Sequence, residues 1–208
     1  FENASDKVAV LAPDDHCQFG PFAPHCQAAP KRARQRRATR TGTGAAASRP
    51  GRQTILANIS SMVWTPRVTV AAVVERDGRF LLVEELADGR LVLNQPAGHL
   101  EHGESLLDAC RRETLEETAW QVEPDAVVGL YRRIEPSTGI TTLRVCFSAR
   151  AIAHDPTRPL DAGIVRALWL TRDELATCAE RHRTELVLRC LDDYLAGARH
   201  PLALLANA

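Results

Sequence analysis

The chain has 208 residues, of which 45% are hydrophobic and 25% are charged, and its 26 basic residues balance its 26 acidic ones. This length and composition fit one globular domain with an appendage, and they exclude a collagen, a coiled coil and a wholly disordered chain. No run of about 18 apolar residues occurs, which argues against a membrane-spanning helix and a membrane partner.

The first element along the chain is a basic segment. Residues 1–61 contain nine basic and four acidic residues, which leaves 17 basic and 22 acidic residues for the remainder. Positions 28–51 hold no large apolar side chain, and such a run cannot bury enough surface to offset chain entropy. We therefore predict a disordered segment over residues 1–61 and a folded domain over residues 62–208. A basic arm can bind nucleic acid or act as a targeting tag, but we favour Met62 as the native start.

Three strands open the predicted domain. Residues 68–74 are rich in β-branched side chains and are followed by the turn Arg76-Asp77-Gly78. Residues 79–84 come next at hairpin distance and are expected to pair with them. Residues 91–95 form a third, short strand that ends at Pro96-Ala97-Gly98, a sequence typical of a turn.

A helix over residues 105–118 follows, because Leu107, Cys110 and Thr114 recur at helical spacing. Strands 126–134 and 141–151 flank a turn at 136–139, and residues 165–170 form a further strand. Thr171 can cap a helix, and a last helix over residues 184–196 ends at Gly197. Strands and helices without regular βαβ repetition predict the α+β class, with a mixed-sheet sandwich.

The cysteines indicate neither a zinc site nor a disulfide framework. Cys17 and Cys26 each follow a histidine directly, a spacing that does not suit zinc coordination. The other four lie in apolar or helical patterns, and we expect them to be free buried thiols in a reducing cytoplasm; they are Cys110, Cys146, Cys178 and Cys190.

An acidic run on the predicted helix carries the chemistry. Glu113, Glu116 and Glu117 fall on one helical face, where three carboxylates repel one another unless water or cations neutralise them. Hard oxygen ligands of this kind suit Mg²⁺ or Mn²⁺. An isolated run of this type is more often a solvated acidic face, so the context decides.

That context resembles the Nudix box, G-x5-E-x7-R-E-U-x-E-E-x-G-U, in which U is a bulky apolar residue. Gly98 is followed by Glu104, by the pair Arg112-Glu113 and then by the pair Glu116-Glu117, all in register. Thr114 stands at the first apolar position and Ala119 replaces the second glycine. Residues from about 68 to 202 resemble a bacterial phosphatase branch of the Nudix hydrolases.

The resemblance implies a Nudix-type sandwich and a role for each box residue. Glu113, Glu116, Glu117 and the carbonyl of Gly98 would hold Mg²⁺, or Mn²⁺ in its place. Glu116 or Glu113 would orient or deprotonate the attacking water. Arg112 and Glu104 would pair and hold the loop against the helix.

Substrate contacts lie outside the box, and several residues are candidates for them. Stacking on a base or contact with phosphate is possible for Trp64, Arg67, His99, Tyr131, Arg133 and Arg144, although each can also have a packing or surface role. Glu84, Glu85 and Asp161 are candidates for a further metal ligand, with a solvated carboxylate as the simpler interpretation.

The resemblance also implies a small-molecule partner. Nucleoside tri- and diphosphates and hydroxymethylpyrimidine pyrophosphate are the expected substrates, in a cytoplasmic enzyme. Pro136 lies sixteen residues after Trp120, a spacing seen in ADP-ribose pyrophosphatases of the family, which gives a second hypothesis. A non-catalytic nucleotide- or RNA-binding module is a third, but all the box glutamates are present and nucleic acid is an unfavoured partner.

Overall fold

The computed structural model describes residues 64–206, Trp64 to Ala206. The predicted disordered segment and the two cysteines considered for zinc, Cys17 and Cys26, lie outside the described residues. Within residues 64–206, no helix is both long and apolar enough to cross a bilayer.

Seven strands and three α-helices make up the described part of the chain. In chain order they are β1 (Arg67–Arg76), β2 (Arg79–Ala87), β3 (Arg90–Asn94), β4 (Ala97–His99), α1 (Leu106–Thr118), β5 (Trp120–Ile134), β6 (Thr141–His154), β7 (Ile164–Leu170), α2 (Arg172–Thr177) and α3 (Leu186–Leu195). Two single 3₁₀ turns cover Ala179–Arg181 and Leu202–Leu204. The α+β class predicted from the sequence is confirmed.

The strands divide between two layers that meet at the β1–β2 hairpin. That hairpin is short, because β1 pairs with β2 only at Glu75–Phe80 and Arg76–Arg79. Beyond these pairs β1 turns to β4 (antiparallel) and β6 (parallel), and β5 lies beyond β6. The other layer consists of β2 with β3 and β7 on its two sides. The hairpin expected over residues 68–84 is therefore formed at its turn end only.

The largest difference from the predicted elements is β4, where the sequence indicates a turn. Residues 97–99 pair with β1 through Thr69–His99, Val70–Gly98 and Ala71–Ala97, so a long-range partner overrides the local turn signal of proline and glycine. In addition, β5 begins at Trp120 rather than Ala126, and α3 begins at Leu186 rather than Thr184.

The core lies on both faces of the β4–β1–β6–β5 layer. One buried cluster joins Ala71 and Val73 of β1 to α3 through Val187 and Leu191. The other joins Val70 and the even-numbered positions of β1 to the apolar face of α1. Side chains alternate along a strand, so Thr69 lies on the same face of β1 as Ala71. That face is opposite to the one that α1 covers.

The cysteine prediction is confirmed at three of four positions. Cys110, Cys146 and Cys190 are free and buried, and burial raises the pKa of the Cys110 thiol to about 12, which suppresses its reactivity. The expectation is wrong for Cys178, which is disulfide-bonded.

Candidate active site

Helix α1 is bounded by two well-defined caps. Ser105 accepts a hydrogen bond from the Asp108 amide at 3.1 Å and so caps the amino end. At the carboxyl end Ala119 adopts the left-handed conformation, with φ of 59°, and its amide donates to the Leu115 carbonyl. The alanine therefore takes a left-handed conformation that is easier for glycine. The other departure is accommodated as well, because Thr114 is buried and its hydroxyl donates to the Cys110 carbonyl at 2.8 Å.

Arg112 lies at the centre of the hydrogen bonds on this helix. Its guanidinium donates to both oxygens of Glu104, at 2.6 and 3.0 Å. One terminal nitrogen, Nη1, also donates to Glu113 Oε1 at 2.8 Å and to Glu116 Oε2 at 3.1 Å. Nη2 donates to the His99 carbonyl at 3.1 Å. These partners raise the pKa of Arg112, and the hydrogen bond to Arg112 lowers the pKa of Glu104.

The Arg112–Glu104 contact predicted from the sequence is thus present. Since the same guanidinium reaches the His99 backbone and two carboxylates of α1, it ties β4 to the helix and sets the positions of Glu113 and Glu116.

Gly98 is the point where β4 passes closest to α1. A Cβ atom built at this position would overlap the carboxyl carbon and both oxygens of Glu113. Its backbone conformation lies outside the left-handed region, so conformational freedom does not explain the glycine. The close approach of Glu113 does, because no side chain fits between them. Glu113 can approach the strand only because residue 98 has no side chain.

Glu117 is the most buried carboxylate of α1. It is 9% exposed and accepts one hydrogen bond, from the Ala97 amide at 2.8 Å. Burial raises its pKa to about 8, and the neighbouring charges of Glu113, Glu85 and Asp161 act in the same direction. Burial also raises the pKa of Glu113. The site thus holds more negative charge than its own cations neutralise.

These carboxylates line an open cleft of about 920 Å³ between the two strand layers. Its acidic side includes Glu113, Glu116 and Glu117 of α1, together with Glu85 of β2 and Asp161 of the loop before β7. Asp161 is fixed beside α1 because its amide donates to the Glu116 carbonyl at 3.0 Å. Glu85 and Asp161, which the sequence offered as further ligands, are brought to the cluster.

Glu84 has a different position from its neighbour. It is 4% exposed and forms ion pairs with Arg166, at 2.9 Å, and with Arg181. It is absent from the cleft lining, so it is neither solvated, as the simpler interpretation expected, nor available as a metal ligand.

The donor chemistry of the cluster fits a divalent cation with oxygen ligands. Several carboxylates converge, two with raised pKa values, and such a group is stabilised when a hard cation neutralises it. As the side chains stand, however, no three His, Cys, Asp or Glu side chains within residues 64–206 form a ready metal cage. Arg112 Nη1 bonds both Glu113 and Glu116, so cation binding requires these carboxylates to exchange partners.

The substrate candidates divide into two groups. Arg67, His99, Arg133 and Arg144 all line the cleft. Tyr131 does not, because its hydroxyl donates to Asp193 Oδ2 at 2.9 Å and its ring packs against the α3 core. Trp64 is 68% exposed and is likewise absent from the lining.

The surroundings of His99 favour its neutral form. Burial is the main cause of its lowered pKa, and the positive charges of Arg67 and Arg183 add to the effect. A neutral imidazole can accept a hydrogen bond as well as donate one.

Residues that sequence reasoning missed come from the opposite layer. Asn94 of β3 donates to Glu85 Oε1 at 3.3 Å, and Arg183 donates to Glu85 Oε2 at 2.6 Å. Both line the cleft. Asn94 is 4% exposed, and a buried amide requires hydrogen-bond partners. In the sequence the signal was a polar amide near the end of the predicted apolar strand 91–95.

Three comparisons place this geometry among known proteins. Residues 65–190 match the family model described as "NUDIX domain". The chain is 36% identical over 145 residues to phosphatase NudJ of Escherichia coli (strain K12), a match that covers 70% of this chain and 94% of that protein. A NUDIX hydrolase from Nitrosomonas europaea has 50% identity and a TM-score of 0.68, over 69% of this chain and 98% of that one. A MutT NUDIX hydrolase from Burkholderia pseudomallei, 23% identical with a TM-score of 0.55 over 62% of this chain and 98% of that one, shares the fold.

Proposed function

The chain belongs to the Nudix hydrolase family and acts on pyrophosphate bonds, and from this premise we propose its substrates, its metal and its residue roles. The substrates are nucleoside tri- and diphosphates and hydroxymethylpyrimidine pyrophosphate. The divalent cation that the family uses is Mg²⁺ in this chain, with Mn²⁺ as a substitute. A cytoplasmic location goes with these soluble phosphate substrates and remains part of the proposal.

Glu113, Glu116, Glu117 and the Gly98 carbonyl are the proposed metal ligands. When bound, the cation lowers the pKa of water and offsets the charge of the substrate phosphates. Glu116 is the better candidate to accept the proton of the attacking water, because its side chain is 29% exposed whereas that of Glu113 is 12% exposed. Glu116 can therefore reach into the cleft after its bond to Arg112 is released.

Arg112 and Glu104 have a positioning role in this proposal. Arg112 connects Glu104, the His99 carbonyl and two helix carboxylates. Substituting it would leave α1 intact but release Glu113 from its place beside Gly98. Activity would then fall through misplaced ligands, an effect commonly of about 10–100-fold for groups that orient metal ligands.

The observation that carries the proposal is that the three carboxylates of α1 meet Glu85, Asp161 and several arginines in one cleft. An acidic cluster alone repels phosphate, whereas the same cluster with a divalent cation attracts it. Arg67, Arg133 and Arg144 also line the cleft and can donate to further phosphate oxygens, which suits a substrate with more than one phosphate.

Assays of phosphate release with Glu116→Gln and Glu117→Gln test the proposal. Each variant keeps the side-chain volume and removes one charge, and we expect turnover to fall by at least about 100-fold. Glu123→Gln is the matched control, because Glu123 pairs with Arg111 and is absent from the cleft lining. Unchanged turnover in both cleft variants would contradict the assignment.

The hypothesis of an ADP-ribose pyrophosphatase is kept as a second candidate. Pro136 lies in the exposed turn between β5 and β6, and Thr138 of the same turn lines the cleft, so this turn can contact a longer substrate. A screen of nucleotides, hydroxymethylpyrimidine pyrophosphate and ADP-ribose with Mg²⁺ separates the two candidates. A binding-only module would show affinity for these compounds without turnover of any of them.

A further inference from the structure

Two buried side chains that line the cleft each have one polar atom without the partner that burial demands. Thr69 and Arg144 are each 8% exposed, and both line the cleft. Thr69 Oγ1 and Arg144 Nε have no hydrogen-bond partner among the residues that the structure describes. Buried donors are nearly always paired, because an unpaired one keeps the cost of losing its water. Both side chains line the cleft, so a ligand bound there can supply them with an acceptor.

The two groups are direct neighbours across a strand pair. Thr69 of β1 stands opposite Arg144 of β6 in the parallel register, and Thr69 also stands opposite His99 of β4. The row His99–Thr69–Arg144 therefore crosses three adjacent strands. Strands lie about 4.8 Å apart, so Arg144 is about 10 Å from the strand that carries Gly98. That separation leaves room for a second phosphate beyond the one that faces the carboxylates of α1.

Charge gives the second argument. Three of the six arginines that line the cleft within residues 64–206 have a carboxylate of their own. Arg112 bonds three glutamates, Arg133 bonds Glu135 and Glu185, and Arg183 bonds Glu85.

Arg144 differs from these three. Within residues 64–206 its one side-chain hydrogen bond is a long one of 3.5 Å, from Nη1 to Asn94 Oδ1, and no salt bridge there joins it to a carboxylate. A buried cation without a counter-ion is costly in the ligand-free protein, and an anionic ligand removes that cost.

The residues that line the cleft also indicate which part of a substrate lies beside Thr69 and Arg144. Among the described residues that line the cleft there is no Phe, Tyr or Trp, and the imidazoles of His99 and His182 are the ring surfaces that they offer to a base. Arginine with a neighbouring hydroxyl is instead a common arrangement for phosphate oxygens. A terminal phosphate has a second negative charge near neutral pH, which an internal phosphate of a diester lacks, so the buried cation favours the terminal group.

We propose that Arg144 and Thr69 form a subsite for the terminal phosphate of the substrate. The subsite selects compounds that end in a phosphate monoester, such as nucleoside tri- and diphosphates, over pyrophosphate diesters such as ADP-ribose. This inference rests on the proposed function and specifies the substrate class of the same cleft.

The test compares Arg144→Met, Arg144→Lys and Thr69→Val with the full chain. KM and kcat are measured for a nucleoside triphosphate and for ADP-ribose, and binding of inorganic pyrophosphate is measured by calorimetry with Mg²⁺ present. Arg150→Met is the matched control, because Arg150 lies on the same strand but is exposed and absent from the lining.

We expect Arg144→Met to raise KM for the triphosphate by at least about tenfold and to weaken pyrophosphate binding equally. ADP-ribose turnover should fall by a clearly smaller factor than triphosphate turnover, because a diester offers this cation no terminal dianion. Thr69→Val should show the same pattern to a smaller extent. The melting temperature of ligand-free Arg144→Met should be equal to that of the parent chain or higher, since the variant removes a buried unpaired charge. A residue needed only for the fold would show the opposite change in melting temperature.

Several outcomes overturn the inference. One is pyrophosphate binding by Arg144→Met and Arg144→Lys that equals that of the parent chain. Another is a change in KM of Arg144→Met that depends on which base the nucleotide carries and not on whether it ends in a phosphate monoester. That result would assign Arg144 to base recognition. If the parent chain binds pyrophosphate through Arg144 yet hydrolyses no substrate, the subsite stands and the proposed function fails.

Discussion

At the scale of single residues, Gly98 shows how the box depends on an absent side chain. We expect Gly98→Ala to reduce turnover by at least about 100-fold, because the new methyl group overlaps the Glu113 carboxylate and displaces it. The free energy of unfolding should change little, since the Glu113 side chain can swing towards the cleft. Kinetic assays and urea denaturation measure the two quantities.

Gly78→Ala supplies the contrast for that prediction. Gly78 has φ of 74°, and no atom outside its chain neighbours lies within 4 Å of the position that a Cβ would occupy, so alanine there introduces backbone strain without a clash. The free energy of unfolding should fall by about 1 kcal/mol while turnover stays the same. Equal activity of Gly98→Ala and the parent chain would show that Glu113 does not need its position beside β4.

The raised pKa of Glu117 predicts how the metal-free protein responds to pH. Its folded-state pKa is about 8, against an ordinary value of 4.5, so the folded state holds the proton more tightly than the unfolded state. Stability from this group is therefore fully present below about pH 4.5 and is lost as pH rises to about 8, with a total change on the order of a few kcal/mol.

Urea denaturation with a chelator at several pH values between about 5 and 8.5 measures that loss. Glu117→Gln keeps an acceptor for the Ala97 amide but cannot ionise, so its stability should vary much less with pH and exceed that of the parent chain at about pH 8. Parallel pH profiles for the two proteins would refute the assignment of the effect to Glu117.

At the scale of elements, the carboxyl end of α1 is a site of stored strain. Ala119 has φ of 59°, a conformation that costs a residue with a Cβ roughly 1 kcal/mol more than glycine. We expect Ala119→Gly to raise the free energy of unfolding by up to about 1 kcal/mol, measured by thermal and urea denaturation. Ala109→Gly, in the middle of the same helix, should lower it by at least about 1 kcal/mol. If Ala119→Gly lowers the free energy of unfolding as Ala109→Gly does, the left-handed conformation of Ala119 stores no strain.

At the scale of the whole molecule, a divalent cation should stabilise the fold and not only the reaction. A ligand that binds the folded state at a concentration of about 100 times its Kd adds about 2.7 kcal/mol. We expect Mg²⁺ to raise the melting temperature at about pH 8 relative to a chelator, with sodium chloride of equal ionic strength as the control. The increase should be lost in Glu117→Gln. An equal increase in that variant would place the stabilising cation outside the carboxylate cluster.

Much of the site could be predicted because the box is local. Glu113, Glu116 and Glu117 share a helical face through spacing alone, and Thr171 caps α2 as expected because its hydroxyl accepts a hydrogen bond from the Glu174 amide. The sequence placed Ser105 in the first turn of α1, whereas it is the cap of that helix. Gly98 and Arg112 were also identified from the box motif. The reason for the glycine is its close approach to Glu113, which depends on the packing of β4 against α1.

The amino-acid sequence by itself determined the acidic helix and the α+β class, because these depend on periodicity and on contacts within a few residues. Tertiary structure decided the substrate side of the cleft. Thr69 and Arg144 are 75 positions apart and become neighbours through the parallel pairing of β1 with β6, whereas Tyr131, two residues from Arg133, is bonded to Asp193 instead. A strand pattern shows which residues share a face, but its partner strand and register depend on the energy of the whole packed core.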